Sequence, residues 1–526
     1  MHNKLKTCWN CPAAKLAGNV DFRGCGQSKE EIAKKVQDNP ELQVVIECHR
    51  RPELGMFAPT ITFEECPEWQ ETPYGYMLRD MRIMILGVDG YLGWTLALKL
   101  CALGCQVSGV DNFCRRDMVM EKGSHTAVPI MRMTERLQAA AEYGWHINFR
   151  QIDVRHELSK LREFMEEIKP EAVVHYGEIP SAPYSMVDCK HAMCVQDNNT
   201  LGTLGVLFAM KDIVPESSMI KLGTMGEYGA PLSGRPIFEG MFPADAVLQW
   251  DNREWSMGGE LTPRNPASFY HVGKVQDTYN VYEACRYWWL RSYDVMQGVI
   301  YGTYSKEIST DVRLRTRFDF DEWFGTVINR FVAQAVLGMP LTIYGRGEQI
   351  RGFIGLEDAM QCMIRLIMSP PEPGQYDVVN QVTAVYRVVD LAETVARVGQ
   401  EFGLDVVIQR LHNPRVEPDY HPMETVSTKL ETQFGLQAQV RLEDEVRRMF
   451  TVLLEPECKQ RLREKQHVVL PVTRWNGEKQ QMDVLEEYHP GRLVPHTMKQ
   501  VLHTKDGIED CELQSIKQHE PRRKTV

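Results

Sequence analysis

The sequence lacks long apolar runs. No stretch reaches the ~18 consecutive apolar residues that a membrane-spanning helix needs. The first eight residues, Met1-His-Asn-Lys-Leu-Lys-Thr-Cys8, also lack the hydrophobic core of a secretion signal. We therefore expect a cytoplasmic protein without a membrane span.

An excess of positive charge is absent too. Lys and Arg number 60 against 71 Asp and Glu, and the formal net charge of −11 argues against general nucleic-acid binding. The 14 cysteines are scattered, as expected of reduced thiols rather than a disulfide framework. Cys8-Trp-Asn-Cys11 has zinc or iron–sulfur ligand spacing, but Cys25 and Cys48 are isolated. We favour free or packed thiols and no metal, with metal binding as the alternative.

Strand and helix patterns alternate from residue 81 to about residue 475, which is typical of a doubly wound α/β fold. We predict a Rossmann-type parallel sheet over 81–300 and a smaller C-terminal α/β lobe that binds the substrate over 301–475. An N-terminal extension of unknown role occupies 1–80. The polar composition of 476–526 predicts a loosely packed or disordered tail.

A glycine-rich turn follows the first predicted strand. The apolar run that begins at Met81 leads into Gly87, Gly90 and Gly93, and a helical pattern starts at Thr95. Glycines permit a tight turn and let the backbone approach a pyrophosphate, which the N-terminus of the next helix attracts. The spacing G-x-x-G-x-x-G differs from the strict fingerprint but indicates a dinucleotide-binding loop.

Acidic residues end the next two predicted strands. Asp111 can accept both ribose hydroxyls of an adenosine and would repel a 2′-phosphate, so NAD is favoured over NADP. Arg115 and Arg116 could instead accommodate that phosphate. Asp153 would lie near the adenine or act as a helix N-cap, and the sequence leaves these two alternatives open.

Tyr270 and Lys274 lie one helical turn apart and share a helix face. A lysine ammonium beside a phenol lowers the tyrosine pKa, so the phenol can take a proton from a sugar hydroxyl while hydride leaves the same carbon. Thr224, at a predicted strand end, would hydrogen-bond that hydroxyl. Glu227 would abstract a proton alpha to a transient ketone if it faces the sugar, and would otherwise be a solvent-facing loop acid.

Together these residues resemble the extended short-chain dehydrogenase/reductase superfamily that acts on nucleotide sugars, and more narrowly the UDP-sulfoquinovose synthase family. The resemblance covers roughly residues 81–475, and its most specific blocks are Thr224-Met-Gly-Glu-Tyr-Gly229 and Asn413-Pro-Arg-Val-Glu417. It implies conversion of UDP-glucose and sulfite to UDP-sulfoquinovose, for sulfolipid or sulfosugar biosynthesis, with NAD recycled in each turnover.

The resemblance also assigns roles in the reaction. Tyr270 takes the 4-hydroxyl proton as hydride passes to NAD, and the resulting 4-ketone acidifies the C5 hydrogen. Glu227, with His271 as the second candidate, removes that hydrogen as a proton and the 6-hydroxyl leaves. Sulfite then adds to the 5,6-alkene, and hydride returns to C4.

The predicted site residues form three groups. The catalytic group contains Thr224, Glu227, Tyr270, His271 and Lys274. The cofactor group contains Gly87, Gly90, Tyr91, Leu92, Gly93, Asp111, Asn112, Phe113, Cys114, Arg115, Asp153, Val154, Asn199, Tyr270, Lys274 and Ile300. The substrate group contains Thr224, Tyr270, Gln297, Arg351 and Arg415, of which the two arginines suit the UDP diphosphate because guanidinium groups pair bidentately with phosphate.

Four departures from the family pattern leave the exact sugar and nucleophile open. Pro180 replaces an arginine expected to touch cofactor and substrate, and Met296 replaces an asparagine near the sugar. The segment Ile354-Gly-Leu-Glu-Asp358 lacks another arginine, and a segment around Phe242–Glu260 is inserted. The alternatives are another NAD-dependent nucleotide-sugar epimerase or dehydratase, and a non-catalytic NAD or nucleotide-sugar binding protein.

The partners are expected to be small molecules and a second copy of the chain. We expect a homodimer that binds UDP-glucose and sulfite. The extension 1–80 would either cover the active site or contact a sulfur-donating partner protein, and the sequence does not decide between these roles.

Overall fold

The computed structural model describes residues 78–229, 236–412, 429–470 and 483–490, together with short strand segments at 14–16, 46–48, 56–57, 503–504 and 507–508. The pair Cys8 and Cys11, and the block Asn413–Glu417 with Arg415, lie outside the described residues.

Seven parallel strands form the main sheet, in the order β12-β8-β5-β4-β1-β2-β3. The first strand pairs on both sides and the order reverses there, as in a doubly wound Rossmann sheet. The strands are β1 (Arg82–Leu86), β2 (Gln106–Asp111), β3 (Ile147–Gln151), β4 (Ala172–His175), β5 (Ser218–Thr224), β8 (Arg291–Gln297) and β12 (Tyr376–Gln381). The predicted fold class is confirmed.

Helices cover both faces of this sheet because its strands are apolar on both sides. Ile83 and Ile85 of β1 pack in one core with helices α1 and α10, whereas Met84 and Leu86 pack in a second core with α4, α7 and α8. The helices over this sheet and its loops are α1 (Tyr91–Ala102), α2 (Cys114–Glu121), α3 (Met133–Glu142), α4 (Leu158–Ile168), α5 (Ala182–Ser185), α6 (Cys189–Gln196), α7 (Gly202–Ile213), α8 (Phe269–Trp288) and α10 (Leu356–Met368).

A smaller lobe packs around a separate apolar core. It contains two three-stranded sheets, β9-β11-β13 and β10-β14-β15. Their strands are β9 (Val299–Tyr301), β10 (Leu341–Tyr344), β11 (Ile350–Gly355), β13 (Ala384–Arg387), β14 (Ile408–Leu411) and β15 (Val484–Tyr488). The helices of this C-terminal part are α9 (Val327–Leu337), α11 (Val388–Glu401), α12 (Lys429–Thr432), α13 (Leu442–Leu453) and α14 (Pro456–Glu464).

Two of the expected boundaries differ from the structure. Helix α10 and strand β12 follow residue 300 but complete the main sheet and its core, so the chain crosses between the lobes more than once. Strand β15 lies within the segment expected to be a loose tail, yet it pairs antiparallel with β14. The polar composition hid this strand because its first four residues are all exposed, so no apolar alternation marks it.

The inserted segment around Phe242–Glu260 forms a β-hairpin of β6 (Val247–Trp250) and β7 (Arg253–Ser256). Asp251 and Asn252 join the strands with positive φ angles of 48° and 57°, as a type I′ turn requires. Both strands are exposed along their length. Among the described residues, no helix is both long enough and apolar enough to span a bilayer.

Candidate functional site

A cavity of about 880 Å³ opens at the carboxyl ends of the parallel strands, where ligands bind in open α/β sheets. Most of the predicted site residues meet there. The lining includes Gly87, Gly90, Tyr91, Leu92, Gly93, Asp111, Asn112, Cys114, Arg115, Val154, Thr224, Tyr270, His271, Lys274, Gln297, Ile300 and Arg351.

The glycine-rich turn brings the start of helix α1 against the end of strand β1. Gly87 has a φ of +85°, and a Cβ there would lie 2.6 Å from the carbonyl of Tyr176. A Cβ on Gly93 would lie 2.1 Å from the carbonyl oxygen of Gly87. Because no side chain fits at either position, the backbone N–H groups at the start of α1 are available to a pyrophosphate.

Asp111 ends strand β2 at the cavity. Its two carboxylate oxygens accept hydrogen bonds from the backbone N–H groups of Asp89 (2.8 Å) and Phe113 (2.7 Å), which fix its orientation. Burial, and then the neighbouring Asp89 carboxylate, raise the pKa of Asp111 to about 6. The oriented carboxylate fits the ribose hydroxyls of an adenosine.

The two arginines after Asp111 are already engaged by acids. Arg116 donates two hydrogen bonds of 2.7 Å to Asp89, and Arg115 donates one of 2.7 Å to Asp319. A 2′-phosphate would have to compete with these carboxylates as well as with Asp111. The site therefore fits NAD better than NADP.

Three residues predicted to touch the cofactor lie outside the described lining of the cavity. Asp153 accepts hydrogen bonds from the N–H groups of Arg155 (2.9 Å) and His156 (3.1 Å) in the turn before helix α4, whose N-cap is Glu157, so it is not the helix N-cap. Asn199 holds both backbone polar groups of Ile179, at 2.8 and 3.2 Å. The adjacent Asn198, Ile152 and Val154 face the cavity instead.

Phe113 is the third of these residues. It takes the left-handed conformation, with a φ of 62°, and precedes helix α2. Its ring packs on Phe149, with 5.7 Å between ring centroids. Phe113 thus shapes the turn after Asp111, and its neighbours Asn112 and Cys114 line the cavity.

Thr224, Tyr270 and Lys274 converge from strand β5 and helix α8, and a side-chain hydrogen bond joins Thr224 to Tyr270. The ammonium of Lys274 lies 6.0 Å from the Tyr270 ring centroid. Burial, and then the charge of Glu227, raise the pKa of Tyr270 above its usual value, so the predicted lowering is wrong for this structure. The reason is that Lys274 pairs with Glu178 and the carbonyl of Leu222 rather than with the phenol.

Burial lowers the pKa of Lys274 itself to about 8, although Asp277 and Asp294 oppose the change. Lys274 is 2% exposed, and its Glu178 partner lines the cavity beside it. Lys274 is therefore still mostly protonated at pH 7, within the same pocket as Tyr270.

Glu227 does not face the sugar site that was predicted for it. Its side chain is fully buried and lies outside the described lining of the cavity. One carboxylate oxygen accepts a hydrogen bond from the Thr224 N–H (3.3 Å) and the other from the Thr278 hydroxyl (2.9 Å). The acid follows a strand end and closes a capping turn with Thr224, which turns it inward. Burial raises its pKa to about 7, against the opposing charge of Lys221.

His271, which is partly buried, lines the cavity instead. Its Nδ1 lies 2.9 Å from the Ser268 hydroxyl, and its ring packs on Tyr270 with 5.0 Å between centroids. A Cβ on Gly226 would lie 2.2 Å from Nε2, so this glycine is needed to seat the imidazole. The imidazole thus lies beside the phenol, oriented by a hydroxyl and open to the cavity.

Some of the predicted substrate residues and of the departures from the family pattern line the cavity, and others do not. Gln297 and Arg351 line the cavity, and Arg415 lies outside the described residues. Pro180 also lines it, so the missing arginine is a real loss at the site. Met296 is fully buried in the core, so this change takes no amide from the cavity wall.

The sequence did not predict several other residues that line the cavity. The described lining also contains Glu178, Arg317, Asp319, Phe324, Thr326 and Asn329. Glu178 follows strand β4, whereas the other five approach the dinucleotide-binding half only through the fold, so no local motif marks them.

Comparison with known proteins agrees with this geometry. The sequence profile described as "NAD dependent epimerase/dehydratase family" matches residues 83–247. UDP-glucose 4-epimerase from Thermotoga maritima, solved with UDP-glucose, superposes with a TM-score of 0.52 at 18% identity over 71% of this chain and 98% of its own. The corresponding enzyme of Bifidobacterium longum, solved with NAD⁺ and UDP, gives 0.53 at 17% identity, over 72% of this chain and 100% of its own. These structures show the fold.

The fold and site thus define a Rossmann protein of the NAD-dependent epimerase/dehydratase class. UDP-sulfoquinovose synthase of Sulfolobus acidocaldarius is 40% identical over 396 residues, which cover 75% of this chain and 98% of that protein. The chloroplastic UDP-sulfoquinovose synthase of Spinacia oleracea is 39% identical over 356 residues, 68% of this chain and 72% of that protein. The chain belongs to the UDP-sulfoquinovose synthase family.

The ionisation of Asp111 should control NAD affinity. Because the ionised carboxylate accepts ribose hydroxyls and its pKa is about 6, the Kd for NAD should be constant above about pH 7. It should rise roughly tenfold per pH unit well below the pKa, where one proton must leave before NAD binds. Titration of the apoprotein with NAD between pH 5 and 8 measures this.

Asp111→Asn is the matched control, because it removes the titrating group and keeps the shape. Its Kd should be higher at neutral pH and nearly independent of pH. An equal slope in the wild type and in Asp111→Asn would assign the effect to another group and contradict the role of Asp111.

Proposed function

We propose that the protein converts UDP-glucose and sulfite into UDP-sulfoquinovose, with NAD bound throughout, and so serves sulfolipid or sulfosugar biosynthesis. The observation that carries the proposal is the convergence of Thr224, Tyr270, His271 and Lys274 on the cavity that holds the glycine-rich turn and Asp111. Family membership and the printed names of the relatives support this substrate. The net reaction of UDP-glucose with bisulfite releases one water.

The cofactor residues are those on the dinucleotide side of the cavity. The start of helix α1 and Asp111 would hold the pyrophosphate and a ribose, while Ile300 and Val154 supply apolar wall. NAD, when bound, accepts hydride from C4 of the sugar and later returns it. The protein must therefore hold both reactants together and keep water from the reacting carbons.

Tyr270 manages the proton of the 4-hydroxyl. The hydrogen bond from Thr224 favours the phenolate, whereas the charge of Lys274 is paired with Glu178. Burial opposes this effect, so Tyr270 takes the 4-hydroxyl proton only in the fraction of molecules that already carries the phenolate. The phenolate is the base when hydride leaves C4, and the phenol that results is the acid when hydride returns.

His271 is the better candidate for the base at C5. Its imidazole lines the cavity beside Tyr270, and Ser268 fixes its ring through Nδ1. A neutral imidazole can take the C5 proton and return it after sulfite has added. Glu227 supports Thr224 and Thr278 from below the site rather than acting on the sugar.

Arg351 supports binding of the UDP diphosphate, because it lines the cavity from strand β11 of the smaller lobe. Arg415 remains a prediction for the same role. Gln297 lies at the end of strand β8 and lines the cavity, and its amide donates to Gln381 at 3.2 Å.

We also propose that the protein is a homodimer through helices α7 and α8. Their outer faces present Phe208, Tyr279 and Tyr287 at 41%, 48% and 70% exposure. Pairing two copies would cover these rings. The cytoplasmic location and the sulfur-donating partner stay predictions from the sequence.

Mass spectrometry of purified protein incubated with UDP-glucose, with and without sulfite, tests the proposal. We expect a UDP-hexose sulfonate that requires sulfite. Tyr270→Phe should lower its rate by about 10²–10⁴-fold, since the proton-transfer group is lost. Tyr293→Phe is the matched control, because this buried phenol donates to the carbonyl of Ser369 in the core. A dehydrated or epimerised sugar without sulfonate would contradict the proposal.

Exchange of the C5 hydrogen with solvent deuterium distinguishes His271 from Glu227 as the base. His271→Asn should still oxidise C4, seen as reduced-nicotinamide absorbance in a single turnover, but should form product at least about 10²-fold more slowly. Glu227→Gln keeps a hydrogen-bonding side chain for Thr278 and should still exchange the C5 hydrogen with D₂O. Loss of exchange in Glu227→Gln, with exchange intact in His271→Asn, would reverse the assignment.

A further inference from the structure

Residues 314–319, here called the strap, lie across the first turn of helix α1. The indole N–H of Trp94 donates to the carbonyl of Leu314 at 2.8 Å. The hydroxyl of Thr316 donates to the carbonyl of Tyr91 at 3.0 Å. The strap belongs to a part of the chain more than 200 residues beyond the glycine-rich turn. It therefore packs against the first turn of helix α1, whose first residues line the cavity.

Arg317 on the strap carries an unused donor. Its side chain is 3% exposed, and its Nε and Nη2 donate to Asp319 at 3.0 and 3.2 Å. Its Nη1 is buried and has no hydrogen-bond partner among the described residues, although Arg317 lines the cavity. A buried donor without a partner destabilises the protein, so the geometry calls for an acceptor in the cavity.

Arg115 faces the same place from the other lobe. Its Nη2 donates to Asp319 at 2.7 Å, and its Nη1 is likewise buried without a partner in the described part of the chain. Asp319 thus holds two guanidinium groups side by side at the cavity wall. Phe324 packs under Arg115, 3.6 Å from the guanidinium carbon to the ring centroid.

The two open donors favour an oxyanion with more than one acceptor. Arg115 and Arg317 bring two positive charges that face Asp319 and Asp321, and the dipole of helix α1 adds positive potential at its N-terminus. Asp111 faces the same region, close enough for Arg317 to lower its pKa in part. A ligand that brings both phosphate oxygens and ribose hydroxyls would satisfy the arginines and Asp111 together.

We propose that Arg317 binds the pyrophosphate of the bound dinucleotide, with Arg115 beside it, so that the strap locks the cofactor in place. The proposal rests on the NAD-dependent function above. The diphosphate of the nucleotide sugar shares the same chemistry, but the strap lies over helix α1, whereas Arg351 lines the cavity from strand β11. The dinucleotide is therefore the source that the contacts favour.

Arg317→Met tests the proposal, with Arg313→Met as the matched control. Arg313 directly precedes the strap. It is 37% exposed and pairs with Glu142 and Asp311, and it is not among the described residues that line the cavity. The readouts are the NAD retained after exhaustive dialysis, and the Kd values of the apoprotein for NAD and, separately, for UDP. Arg317→Met should raise the Kd for NAD by about 10–100-fold and leave the Kd for UDP unchanged. Arg313→Met should change neither.

Arg317→Lys keeps the charge and the contact with Asp319 but removes the planar fork, so it should weaken NAD binding by a smaller factor. It also decides the question if Arg317→Met does not fold. Unchanged NAD affinity in a folded variant would overturn the proposal, and so would a loss of UDP affinity instead. If the wild-type protein itself binds no NAD, the proposed function fails, which is a separate result.

Discussion

The close contact between Gly87 and Gly93 is the constraint on which the site depends. A Cβ on Gly93 would fall 2.1 Å from the carbonyl oxygen of Gly87, so helix α1 can start against strand β1 only because both positions lack side chains. This contact aims the helix N-terminus into the cavity. Asp111 then lies beside it because β2 pairs with β1, and Tyr270 faces it from helix α8.

Below the reacting side chains, a buried charged network fixes strand β5 to helix α8. Lys221 lies 3.2 Å from Asp294 and 3.8 Å from Glu227, and the Thr278 hydroxyl lies within hydrogen-bond distance of both acids. All of these groups are buried, so each charge depends on its partners. The network positions Thr224 and Lys274 relative to each other, which explains why Glu227 is turned away from the cavity.

The sequence predicted the features that depend only on residues close together in the chain. The glycine-rich turn, Asp111 and the Tyr270/Lys274 pair follow from strand–turn–helix geometry and the helical repeat, and the structure places all of them at one cavity. The raised pKa of Tyr270 and the inward turn of Glu227 were missed because burial is set by tertiary packing. Arg317 and Asp319 were missed because no short-range pattern links them to a turn more than 200 residues earlier.

We expect one bound NAD to serve both halves of the reaction at C4. The most direct measurement uses UDP-glucose with deuterium at C4, sulfite, and an excess of unlabelled NAD and NADH in solution, with mass spectrometry of the product. The account predicts that the sulfonated sugar keeps its deuterium at C4, because the hydride that leaves is the one that returns. Loss of deuterium to the pool, or a product formed without sulfite, would contradict it.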